Sequence, residues 1–90
     1  MKPIRWTPHA RKRARNREVI EREVEQTITQ PDSVTPGRAP RRIFMRRYQD
    51  VVLQTEMLLR VVVEETASEF VILTLYKTSK FRKYEKGRTS

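Results

Sequence analysis

Along the last third of the chain, apolar and β-branched residues gather in two short runs. These are Leu58-Leu-Arg-Val-Val-Val-Glu64 and Phe70-Val-Ile-Leu-Thr-Leu-Tyr76, separated by the polar stretch Glu65-Thr-Ala-Ser-Glu69. Two β-rich runs joined by a medium-length polar loop predict a hairpin. If Glu64 pairs with Phe70, Leu59 faces Leu75, Val61 faces Leu73 and Val63 faces Val71, and that side of the hairpin is core. The other side then carries Leu58, Arg60, Val62, Phe70, Ile72, Thr74 and Tyr76. Because side chains alternate strictly along a strand, Arg60 and Tyr76 are locked to one face. Arg60 is expected opposite Thr74 and diagonal to Tyr76, within reach of a shared ligand.

Nearer the N-terminus the period lengthens from two to that of a helix. Thr7 can cap and Pro8 suits the first helical position, where no amide donor is needed, so Thr7-Pro8-His9-Ala10 predicts a helix start. That helix is expected to run to about Asn16. A second is expected from Ile20 to Thr29, with Ile20, Val24, Thr27 and Ile28 on one stripe. A single helix from Pro8 to Thr29 is the alternative. Pro31 disfavours helix at Gln30 and ends the run. The following stretch to Pro40 holds three prolines and Gly37, which predicts a loop with at most a short edge strand around Val34. Arg41 to Tyr48 alternates as a strand, with Ile43, Met45 and Arg47 on one side and Phe44, Arg46 and Tyr48 on the other. Gln49 to Glu56 reads as a connection, with Val51-Val-Leu53 able to extend a strand. Strands joined in sequence favour an antiparallel sheet with helices on one face. The expected class is α+β: one or two N-terminal helices on an antiparallel sheet of three to four strands. Residues 1–90 form one domain in this reading, with 1–6 and 85–90 as flexible ends.

Charge changes the picture from fold to partner. The chain has 90 residues, a net charge of +9 and a pI near 10.7, which points to an anionic partner, either nucleic acid or an acidic protein. There is no cysteine and only one histidine, so disulfides, thiol nucleophiles and the usual zinc sites are not expected. No apolar run is long enough to span a membrane, and none near Met1 suggests a secretory signal; a cytoplasmic protein is the expectation. Residues 1–17 hold seven Lys and Arg and no acid, residues 31–50 five Arg against Asp32 and Asp50, and residues 77–90 six Lys and Arg against Glu85. A folded domain of this size must bring some of these basic blocks together.

The ordered set His9-Ala10, Pro31-Asp32, Leu58-Leu-Arg-Val-Val-Val-Glu-Glu65 and Leu75-Tyr-Lys-Thr-Ser-Lys80 resembles the small RelE-like and BrnT-like toxins. These lie within the larger group of barnase, EndoU, the tRNA-cutting colicins and RelE. The resemblance covers roughly residues 6–84. It implies helices against a twisted antiparallel sheet whose concave face engages RNA. It also implies a toxin active against translation, expected here to be a ribosome-dependent or free endoribonuclease cutting mRNA or other RNA, and a cognate antitoxin. This chain departs from the barnase pattern in offering no Glu-His pairing on its sheet.

Metal-free RNA cleavage needs a base for the 2′-hydroxyl, an acid for the leaving oxygen and cations for the charge on phosphorus. His9, Arg60 and Tyr76 are the candidate catalytic residues. His9 is the one side chain that ordinarily titrates near neutrality, and a helix start disfavours its protonation. The planar fork of Arg60 matches phosphate oxygens, and Tyr76 can donate or relay a proton. The plainer roles are a helix-start histidine, a cross-strand arginine and a rim tyrosine. Arg13 lies one turn beyond His9 on the same helix face. Arg46 would join the cationic platform if Phe44 and Tyr48 faced outward. Lys77, Lys80, Arg82 and Lys83 are candidates for RNA backbone contacts, with Tyr84 and Phe81 available to stack on a base. No cofactor is expected. The expected partners are RNA, with or without the ribosome, and an acidic antitoxin covering the basic face, around a monomer. A non-catalytic nucleic-acid-binding module and a gyrase-inhibiting relative are the alternatives.

Overall fold

A computed structural model describes residues 2–38 and 40–85. The elements run β1 (Ile4–Trp6), α1 (Pro8–Asn16), α2 (Glu21–Thr29), β2 (Ser33–Pro36), β3 (Arg41–Asp50), β4 (Thr55–Glu65), β5 (Phe70–Thr78) and α3 (Phe81–Glu85). The five strands form one sheet in the order β1-β5-β4-β3-β2. The class is α+β, as the sequence pattern predicts. The sheet has a strand more than expected and is mixed, because β1 pairs parallel to β5 while the remaining pairs are antiparallel.

That extra strand corrects the expectation of a flexible start at residues 1–6. Ile4, Arg5 and Trp6 pair with Phe70, Val71 and Ile72. The amide of Phe70 donates to the Pro3 carbonyl at 2.9 Å, and the Lys2 ammonium lies 2.6 Å from Glu65 Oε2. At the other end, Glu85 closes α3, and residues 86–90 of the expected flexible end lie outside the described residues.

Helix α1 starts as its sequence dictates: Thr7 Oγ1 accepts from the Ala10 amide at 3.1 Å, with Pro8 in the first position. The two-helix reading holds, since Glu18 turns the backbone to φ 56° between the helices. The Val19 amide then closes on the Ala14 carbonyl at 2.9 Å, and Val19 itself is buried. Helix α2 buries Val24, Thr27 and Ile28, three of the four positions of the expected stripe; the fourth, Ile20, is the N-cap and stays half exposed. Trp6 Nε1 donates to Glu25 at 3.1 Å, tying β1 to α2.

The hairpin of β4 and β5 forms in a register two residues from the expected one at its open end. Val61 faces Leu75, Arg60 faces Tyr76 and Leu59 faces Lys77, and the ladder slips between Val62 and Val63. Thr74 pairs with Val62 and Ile72 with Val63, so Leu73 is the extra residue of a bulge. The bulge lets Ile72 and Leu75, three residues apart, both point at the helices, which regular alternation forbids. Fully burying each is worth about 1.5–3 kcal/mol, more than the roughly 0.5–1.5 kcal/mol of a ladder hydrogen bond. The core beneath the helices joins Ala10, Ala14, Val24 and Ile28 to Phe44, Tyr48, Met57, Leu59, Val61, Val63, Ile72 and Leu75.

Candidate nucleic-acid interface

The face of the sheet turned away from α1 and α2 presents Met45 and Arg47 from β3, Leu58, Arg60 and Val62 from β4, and Thr74 and Tyr76 from β5. Met45 and Leu58 are buried here, apart from the main core. Helix α3 lies across this face. The Arg47 guanidinium sits 4.2 Å from the Phe81 ring centre and the Arg60 guanidinium 4.0 Å from that of Tyr84. Phe81 and Tyr84, three residues apart, occupy one side of the helix. Tyr76 meets Tyr84 edge to face at 6.1 Å.

Arg60 and Tyr76 are joined more closely than the sequence predicts. They are directly paired across the strands, and Arg60 Nη1 donates to the Tyr76 hydroxyl. Arg60 Nε is buried and has no partner among the described residues. Burial raises the Tyr76 phenol above its ordinary value, against the lowering pull of the Arg60 charge. In Tyr84 burial opposes the change, but hydrogen bonds with Lys83 and Tyr76 and the nearby cations bring the phenol down.

A second set of side chains runs along β5 where β1 has ended. Strand β1 pairs as far as Ile72, whose carbonyl also accepts from the Thr7 amide at 3.3 Å, and beyond it the edge of β5 has no strand partner among the described residues. Thr7 Oγ1 donates to the Ile72 carbonyl at 2.7 Å, and Arg13 Nε to the Leu75 carbonyl at 3.1 Å. Side chains of α1 thus satisfy an edge that would otherwise invite another strand. His9 Nε2 lies 3.3 Å from Thr74 Oγ1. His9, Arg13 and Arg17 follow at intervals of four, one stripe of the helix. Arg13 and Arg17, with Met57, Tyr76 and Lys77, line a cavity of about 580 Å³.

Two sequence-predicted contacts are placed elsewhere. Phe44 and Tyr48 face the helices, so Arg46 lies on that side too, 3.9 Å from Glu23, and adds nothing to the Arg60 face. Lys77 is no free backbone contact: its ammonium is 2.8 Å from Asp50 Oδ2 and mostly buried. Asp50 also accepts from the Tyr48 hydroxyl at 2.6 Å and from the amides of Val52 and Leu53 at 3.0 and 2.9 Å. Burial alone would raise its carboxyl, yet the bonds from Lys77, Tyr48 and the Leu53 amide together hold it at about 2. Burial and the Asp50 carboxylate push the Tyr48 phenol up. Lys80, Arg82 and Lys83 are exposed around α3. Arg17 and Arg47 were not singled out from sequence. The four-residue spacing from His9 and Arg13 would have found Arg17; nothing local announced Arg47.

Among the described residues, no cluster of three His, Cys, Asp or Glu side chains could hold a metal ion, and no helix is long and apolar enough to cross a membrane. Residues 6–77 match the family described as a domain of unknown function, DUF4258, and the chain belongs to that family. No curated protein and no solved structure matches the chain.

Proposed function

We propose that the protein is a RelE-like toxin: a metal-independent endoribonuclease that cuts RNA in the cytoplasm, inhibits translation and is restrained by an acidic antitoxin. The observation that carries this reading is the Arg60–Tyr76 pair, with its buried, unpartnered Nε, in a protein of net charge +9. The guanidinium is the anion clamp, binding the non-bridging oxygens as charge builds on phosphorus. Tyr76, held protonated by burial, is the acid. His9 is the base, reaching the ribose from the edge of β5 beside Thr74. Thr74 and Tyr76 are two residues of strand apart, about 7 Å, so base and acid flank one phosphodiester. The 2′-oxygen attacks phosphorus and its proton passes to His9. The bond from phosphorus to the 5′-oxygen breaks, and Tyr76 protonates that oxygen. The products are a 2′,3′-cyclic phosphate and a 5′-hydroxyl, and solvent returns the protons.

A second reading, a binding module without catalysis, is favoured by one contact: the Tyr84 ring already covers a face of Arg60 at 4.0 Å. The test is expression of the wild type beside Arg60→Ala and Tyr76→Phe, with growth followed and RNA ends mapped. Cleavage predicts growth arrest and new 2′,3′-cyclic ends, reduced about a hundredfold or more in either folded variant. Unchanged cutting in the folded double variant would overturn the assignment. No new ends, together with salt-sensitive RNA binding, would select the binding module.

A further inference from the structure

We infer that the cavity beside the C-terminal half of α1 is a second phosphate subsite, so that an RNA strand held at Arg60 wraps around the edge of β5. This rests on reading Arg60 and Tyr76 as an RNA site. The cavity and that pair share Tyr76, whose strand position separates them. Helix α1 and strand β5 advance together here. From His9 to Arg17 the helix rises about 12 Å, while β5 covers about 10 Å from Thr74 to Lys77. Two four-residue steps of the helix therefore span about the same length as three residues of the strand. His9 meets Thr74, Arg13 meets the Leu75 carbonyl, and Arg17 reaches the cavity beside Tyr76 and Lys77.

The charge at the cavity is suited to an anion. Lys77 is neutralised by Asp50, so Arg13 and Arg17 supply the net positive charge. Arg13 spends Nε on Leu75 and is held rigidly by it. Arg17 is exposed and its side chain makes no hydrogen bond or ion pair among the described residues. A fixed guanidinium beside a free one, over a cavity of about 580 Å³, fits a phosphodiester oxygen pair. Bases are not read at this end, because among the lining residues the one aromatic ring, Tyr76, is already engaged by Arg60 and Tyr84. The subsite binds backbone and extends the footprint.

The experiment measures binding of fully 2′-O-methylated single-stranded RNA, which cannot be cut through its 2′-oxygen, at lengths from two to eight nucleotides and over a range of KCl. Arg17→Gln is compared with Arg15→Gln, the same charge change on the same helix away from the cavity. Arg17→Gln is expected to weaken the longer oligonucleotides about fivefold and to reduce the salt slope by roughly 0.7, one phosphate contact on a single strand, while sparing the dinucleotide. Equal effects of Arg17→Gln and Arg15→Gln would overturn the subsite. Arg60→Ala is expected to weaken every length. If it does not, while Arg17→Gln still acts, the cavity stands as an anion site and the reading of Arg60 falls. Absence of wild-type binding at every length overturns both.

Discussion

Asp50 shows how one residue can fix a place that its neighbours do not. It ends β3, caps the turn through two amides, and satisfies Tyr48 and Lys77 at once. Its carboxyl lies at about 2 instead of 3.8, which corresponds to about 2 kcal/mol of stability. Because the folded value is the lower one, this contribution is full above about pH 4 and disappears as pH falls towards about pH 2. Urea unfolding of wild type and Asp50→Asn should therefore differ most at neutral pH and converge in acid. A gap independent of pH would mean that the carboxylate is not the stabilising species. Arg60 is a contrasting case. Its contacts among the described residues are aromatic and hydroxyl, so no carboxylate among them competes with an anion for the guanidinium.

At the scale of elements, the bulge at Leu73 decides which face each residue of β5 meets. Deleting Leu73 restores an even ladder without exchanging the faces of Ile72 and Leu75, and should cost under about 2 kcal/mol. Deleting Val62 instead turns one end of β4 inside out and should cost roughly 4 kcal/mol or more. Thermal unfolding of the two deletions checks this, and equal losses would show that the bulge does not absorb the slip. The bulge also marks where the sequence stopped being legible. Period two placed Leu59, Val61 and Val63 beneath the helices and put Arg60 and Tyr76 together on the far side. It also put Val71 and Leu73 on the side of Leu59 and Val61, which Ile72 takes instead while Val71 is buried on the other side, since nothing in a run of apolar residues announces an extra one. The start of α1, the end of the helical run before Pro31 and the short edge strand around Val34 follow from local chemistry; the turn at Glu18 does not, since the same residues also fit one helix from Pro8 to Thr29. Strand β1 did not, because three residues carry no period and their partner is remote in sequence. Helix α3 is also too short for periodicity, although Phe81 and Tyr84 have the spacing of a helix face.

For the molecule as a whole, the excess of positive charge is a cost to the fold. Paired contacts such as Arg47 with Glu56 at 3.3 Å are exposed, and such pairs give about 0–1 kcal/mol each. A net charge of +9 acts over the whole surface. Added salt screens both, and the repulsion should dominate. Raising KCl to about 0.5 M should therefore raise the unfolding temperature by several degrees, roughly 1 kcal/mol for a domain of this size. A falling temperature would show that the ion pairs prevail.

The joining of β1 to β5 also sets an order in time. His9 and Thr74 are 65 residues apart, and closing so long a loop costs about 4 kcal/mol before any contact is made. The hairpins of β3, β4 and β5 close locally and can form first. The cationic stripe of α1 has no strand to dock on until β5 exists. During synthesis the two halves of the interface therefore meet only after β5 has been made. A chain interrupted before β5 retains its basic helix but lacks the surface against which that helix is aligned.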